Sequence, residues 1–208
     1  MITQQPLETF LDNLASAAPT PGGGSAAAVI GAAGAALLSM VCNVTLGKKG
    51  QEAVAADMQS VRDRSERLRA RLTAMVADDV AAFDGLMAAY RLPKASEEEK
   101  LLRAEAIQST LLAATETPLA CARACAEVVA LSRRAAEKGY SGVVSDAGVG
   151  VLAANSAVRS AALNVYINAP SLTDRDYAQA AVAEIEKLLA ESARESEAVF
   201  ELVRGRLG

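Results

Sequence analysis

A chain of 208 residues that is 51% hydrophobic can bury a real core, and with only 3% aromatics and no Trp that core must be built mainly from Ala, Leu and Val. The net charge of −4, with both signs spread along the chain, leaves no basic stripe of the kind a nucleic-acid partner requires. Histidine is absent, which removes Ser-His-Asp and Cys-His catalysis and the commonest transition-metal ligand, so acid–base chemistry falls to Asp, Glu, Lys, Tyr or water.

In chain order, Leu7, Phe10, Leu11 and Leu14 draw one apolar face of a short helix after Pro6, ended by Pro19 and Pro21. Gly22, Gly23 and Gly24 then lead into a second helix, predicted from Ser25 as N-cap to Leu46. Three glycines in a row imply a Cβ clash or a positive φ. The unpaired amides of that first turn suit an oxyanion or a carbonyl-rich heterocycle; close helix packing explains the glycines equally well. This helix is apolar or small on every side, so it is expected at the centre with the others around it. It approaches membrane-spanning length, yet its Ala and Gly, with Ser39, Asn43 and Thr45 at helical spacing, suit a buried helix and no membrane partner. Lys48 and Lys49 follow its C-terminal end, where their simplest role is to complement the dipole.

A long helical pattern runs from Gln51 to about Tyr90 and ends at Leu92-Pro93-Lys94. Within it, Asp78 and Asp79 differ by about 100° around the axis, so one of them turns toward the core. Such a carboxylate is either paired with an Arg or chemically active. Ser96 and Glu99 have capping-box spacing and start a fourth helix, with Pro118 expected to kink or break it near Thr117. It resumes to about Lys138. A fifth helix follows Gly142 to Asp146 and ends near Asn168; Ser156, Ser160, Asn164 and Asn168 recur every four residues along it, lining a groove or satisfying a neighbour's backbone. Thr173-Asp174-Arg175-Asp176 caps a terminal helix. No stretch reads as a strand. The expectation is an all-α, single-domain bundle of about six helices over residues 1–208.

Cys42, Cys121 and Cys125 lie in Ala-rich helical sequence and read as reduced, buried thiols rather than zinc ligands. With a Met1-Ile2-Thr3-Gln4-Gln5 start that lacks a basic region and an apolar core, they point to a cytoplasmic protein.

Six motifs in order, Thr20-Pro-Gly-Gly-Gly-Ser25, Gly47-Lys-Lys49, Asp79-Val-Ala-Ala-Phe83, Leu92-Pro-Lys94 with Glu97-Glu-Glu-Lys100, Ser145-Asp146, and Asn164-Val-Tyr-Ile-Asn168, span nearly the whole chain. On these the chain resembles the formiminotransferase-cyclodeaminase C-terminal domain family, which includes free-standing bacterial methenyltetrahydrofolate cyclohydrolases. One departure is Lys138-Gly139-Tyr140-Ser141-Gly142, where many relatives carry Gly-Asn before the Ser-Asp pair; Tyr140 either stacks on a ring or packs.

The resemblance implies an all-helical homodimer, with folate in a cleft near the subunit interface and chemistry at the one-carbon bridge of tetrahydrofolate. By motif match, Asp79 is the catalytic carboxylate. Lys48 is a second candidate catalytic group, or a fixed charge for the glutamate carboxylates. Gly23, Gly24, Ser25, Lys49, Phe83, Asp146, Asn164 and Asn168 are the candidate substrate contacts. The 5,10-methenyl bridge is already an electrophilic amidinium carbon, so a positioned water and a general base suffice, with no cofactor beyond the tetrahydrofolate substrate and no metal. The expected reaction is hydrolysis of 5,10-methenyltetrahydrofolate to 10-formyltetrahydrofolate, since no formiminotransferase domain accompanies the chain. Ammonia release from 5-formiminotetrahydrofolate is the alternative within the family, and a non-catalytic oligomerisation module is the alternative from another class.

Overall fold

The computed structural model describes residues 2–208 and holds six α-helices, with short 3₁₀ turns in three of the connections and no strand among the described residues. They are α1 (Leu7–Leu14), α2 (Gly23–Leu46), α3 (Ala55–Tyr90), α4 (Glu97–Lys138), α5 (Val144–Asn168) and α6 (Arg175–Leu207). The expected all-α bundle of about six helices is therefore what the chain forms.

Local signals set several boundaries. Ser96 Oγ accepts from the Glu99 amide at 3.1 Å while the Glu99 carboxylate accepts from the Ser96 amide at 3.1 Å, a complete capping box. Asp174 is the N-cap of α6, its carboxylate accepting from the Tyr177 amide at 2.9 Å. Three expectations need correction. First, α2 begins at Gly23 with Gly22 as N-cap, so Ser25 lies inside the first turn and does not cap it. Second, α3 starts at Ala55, after a 3₁₀ turn over Glu52–Val54.

Third, of the two outcomes expected at Pro118, a kink or a break, the break does not occur: α4 runs unbroken for 42 residues. Proline has no amide to give the Ala114 carbonyl four residues earlier. That oxygen finds a donor elsewhere, from Asn168 Nδ2 at the end of α5, at 2.8 Å. The side chain thus ties α5 to α4 at the point where the helical ladder lacks a rung.

The main core joins α2, α3, α4, α5 and α6, with Leu38, Leu72, Val128, Val158 and Ile185 fully buried. Small residues let α2 and α5 run very close: a Cβ on Gly34 would stand 2.9 Å from the Gly150 carbonyl oxygen and 3.2 Å from the Ala154 nitrogen. A second, smaller core forms from Leu86, Leu111, Ala114, Ala169, Leu172 and Ala178, and it contains no residue of α2. Ion pairs lock α6 across α4. Arg123 is bidentate to Glu184 and also reaches Glu116, which holds the Tyr177 hydroxyl, and Arg133 clasps Glu195. Burial, with the Glu116 carboxylate beside it, pushes the Tyr177 phenol up to about 12.

The helix α2 is long and apolar enough to cross a membrane, but more than half of its most apolar window is buried inside the bundle. It is a core helix. The three thiols, Cys42 in α2 and Cys121 and Cys125 in α4, are free and buried, and burial pushes the Cys42 thiol up to about 11, against the pull of Arg62. Yet α2 is not surrounded as its composition suggested. It packs on α3, α5 and, more lightly, α4, and it leaves Ile30 and Ala33 exposed on its remaining side. Beside them on α5, Val149, Leu152, Leu163 and Ile167 share one face and are 54%, 43%, 69% and 74% exposed.

Candidate active site

Asp79 and the first turn of α2 form the centre of the site. Asp78 is exposed, and Asp79 turns inward by the 100° step of the helix. No arginine meets it. Its Oδ2 instead accepts from the hydroxyl of the fully buried Ser25 at 2.7 Å. Its Oδ1 lies where Gly24 would carry a side chain: a Cβ there would stand 2.0 Å from that oxygen. Gly24 is therefore required by close approach of a carboxylate. None of the three consecutive glycines has positive φ, which among the described residues occurs only at Gly50.

A cavity opens beside this carboxylate, lined by Asp79, Phe83 and Leu86 from α3, Pro118 from α4, and Asn164 and Ile167 from α5. Its volume is about 240 Å³, enough for a ring system but not for an entire extended ligand. Gly23 borders it, since a Cβ on Gly23 would come within 4.0 Å of Asn164 Nδ2. Asn164 donates that nitrogen to the Ser160 carbonyl at 3.1 Å, which leaves its amide oxygen toward other partners. Asn168 also lines the cavity, with its amide nitrogen committed to Ala114. One pole of the bundle thus gathers Gly23, Gly24, Ser25, Asp79, Phe83, Asn164 and Asn168.

Lys48, Lys49 and Asp146 lie at the opposite pole. Lys48 follows the C-terminal end of α2, about 33 Å along the helix from the Gly24 turn. Asp146 is in the first turn of α5, about 27 Å from Asn164 along the same axis. Around them the chain is well ordered by local contacts. The Lys48 ammonium sits 5.0 Å from the centre of the Tyr140 ring, whose edge lies against Gly142, and the Tyr140 amide donates to Thr45 Oγ1 at 2.9 Å. Tyr140 thus packs under a cation. Both lysines are exposed, and neither forms an ion pair with another described residue.

Sequence reasoning missed the cavity wall of Ala82, Leu86, Ala114, Pro118 and Ile167. Pro118 was visible as a helix anomaly, but no local rule connects it to Asn168, fifty positions on. Among the described residues no three acidic or thiol side chains converge as a metal-binding group.

The fold and the site define a class before they define a family. The crystal structure of formiminotetrahydrofolate cyclodeaminase from Thermotoga maritima matches 100% of both chains with a TM-score of 0.89 and 27% identity, so the architecture is that of an all-helical folate enzyme. The model for formiminotransferase-cyclodeaminase matches residues 6–187, and the chain belongs to that family. It is 55% identical over 207 residues to the methenyltetrahydrofolate cyclohydrolase of Methylorubrum extorquens, with 100% of each chain covered. It is 33% identical to the formimidoyltransferase-cyclodeaminase of Sus scrofa, where 99% of this chain corresponds to 38% of the longer protein.

Proposed function

We propose that this protein is a cytoplasmic methenyltetrahydrofolate cyclohydrolase, opening 5,10-methenyltetrahydrofolate with water to give 10-formyltetrahydrofolate. The observation that carries the reading is the end-to-end similarity to the Methylorubrum enzyme, at 55% identity with neither chain overhanging the other. The chemistry fits the residues at hand. Water adds to the cationic bridge carbon and gives up a proton to Asp79. The bond from that carbon to N5 then breaks as N5 takes a proton and the new hydroxyl gives one up to become the formyl C=O on N10, with one proton released overall. No step needs a group beyond a base and a proton donor.

A single chain holds only half of the site, and the bare α2–α5 face supports a homodimer as its completion. A twofold axis perpendicular to these helices sets the Asp79 pole of one subunit against the Lys48 and Asp146 pole of the other. The exposed Ile30, Val149, Leu152, Leu163 and Ile167 become the interface. In that arrangement Lys48 supplies the proton to N5 or holds the glutamate carboxylates, while Asp146 accepts from the amide-like edge of the pterin and Asn164 meets its polar atoms. Lys49 and Phe83 border the bound ligand.

The test of the reaction is a spectrophotometric assay of the purified protein. Enzyme-dependent loss of the methenyl chromophore without ammonia release from 5-formiminotetrahydrofolate is the expected result. Ammonia release with methenyl accumulation would make the protein a cyclodeaminase, and silence in both would leave a helical scaffold.

The test of the dimer is complementation. Asp79→Asn and Lys48→Ala, each inactive alone, are mixed and reassociated. Random pairing should restore about a quarter of wild-type activity, because half the dimers then carry one intact composite site. Absence of recovery in a verified mixed dimer would show that the two residues do not share a site across the interface.

A further inference from the structure

We infer that Ser25 is a positioning residue that fixes the rotation of the Asp79 carboxylate and leaves Oδ1 alone to meet the attacking water. The inference rests on the reading of Asp79 as the base, and it changes the role of Ser25 from a substrate contact to a support behind one. Ser25 is fully buried, and its hydroxyl donates to Asp79 Oδ2 at 2.7 Å. An ionised carboxylate only accepts, so the serine proton must point at Asp79.

The terminal torsion of an aspartate is broad and roughly two-fold, so a free carboxylate samples many orientations. Here one oxygen is bonded from below. The other rests over Gly24, where a Cβ would stand 2.0 Å from it. Both constraints come from the same helical turn, and that turn cannot drift: the Ala26 amide closes it onto the Gly22 carbonyl at 3.0 Å, and Ala27 and Ala28 behind it are fully packed. The arrangement makes α2 a rigid mount for a catalytic side chain carried by α3. A displacement of the reacting group by about 1 Å is enough to lower a rate on the order of 10²-fold.

The experiment compares Ser25→Ala in the wild-type and Asp79→Asn backgrounds, with kcat and KM for 5,10-methenyltetrahydrofolate and the melting temperature of each protein. Ser25→Ala should lower kcat by about 10-fold to 10²-fold with KM nearly unchanged, and should lower it no further once Asp79 is Asn. Ser25→Cys, a weaker donor of similar size, should recover part of the loss. A rise in KM with kcat preserved would overturn the inference and make Ser25 a ligand contact. So would equal losses in both backgrounds, or no loss in either. Full activity of Asp79→Asn by itself would instead remove the reading of Asp79 as base, whatever Ser25→Ala does.

Discussion

Replacing Asp79 by Asn should lower turnover of 5,10-methenyltetrahydrofolate by about 10²-fold to 10⁴-fold, the range over which a positioned acid or base contributes. The substitution isolates charge and basicity from structure. An Asn amide oxygen can still accept from Ser25, whose hydroxyl meets the native Asp79 Oδ2 at 2.7 Å, and the new side chain is no larger than the old. The residue is half-buried, so an amide there is not stranded without water. The melting temperature should therefore stay close to wild type and KM should change little. Those two controls matter, because loss of activity through loss of fold would say nothing about the base. A folded Asp79→Asn protein with wild-type turnover would require the proton to go elsewhere, and in a chain with no histidine the remaining candidates are few.

The largest effect on stability is expected at Gly34. A valine there would place its Cβ 2.9 Å from the Gly150 carbonyl oxygen and 3.2 Å from the Ala154 nitrogen, with two further methyl groups to accommodate. These are backbone atoms of a helix, and they cannot swing aside as a side chain would. Overpacking of this kind costs about 1–3 kcal/mol, partly offset by the better helix propensity of a residue with a side chain. For a chain of this length the melting temperature falls by about 2–4 °C for each kcal/mol. Thermal unfolding followed by circular dichroism reads it directly. Because α2 carries the Gly24 turn at one end and Lys48 beyond the other, separation of α2 from α5 should also depress activity through both poles. An unchanged melting temperature would mean that the two helices are not in the close contact described.

Much of the architecture could be read from local rules. The capping box at Ser96 and Glu99, the Asp174 cap and the absence of any alternating pattern are all contained within a few residues, and each appears as expected. The misreadings share a cause of the opposite kind. Serine is a favoured N-cap, which points to a start at Ser25, whereas the approach of Asp79 from another helix makes Gly24 the residue that fits in the first turn. Pro118 breaks isolated helices, and here the carbonyl it orphans is satisfied by Asn168 from α5. In both cases a long-range contact overrides a local preference, and no spacing in the sequence encodes it.

The candidate site could be named from the sequence as a set of residues but not as a place. Family resemblance picked out Asp79, Ser25, Asn164, Lys48 and Asp146 together, and the structure divides them between two poles of the bundle, Asp79 on α3 lying beside the start of α2. Sequence order alone cannot show that division. The apolar face on α5 was hidden for a related reason: Leu163 and Ile167 carry the same hydrophobic signal as core residues, and only the packing reveals that they are exposed.

The cavity beside Asp79 exists because one helix stops. Helices α3, α4 and α5 all continue past the level where α2 begins at Gly23, and the smaller core beyond that point is built without α2. The opening is thus a missing segment of the bundle rather than a hollow made by shortened side chains. Changes in lining residues such as Phe83 or Leu86 can alter its contours, but its existence depends on the starting point of α2. The starting point of α2, more than the chemistry of the walls, is the variable through which such a scaffold could acquire room for a larger substrate or lose its pocket altogether.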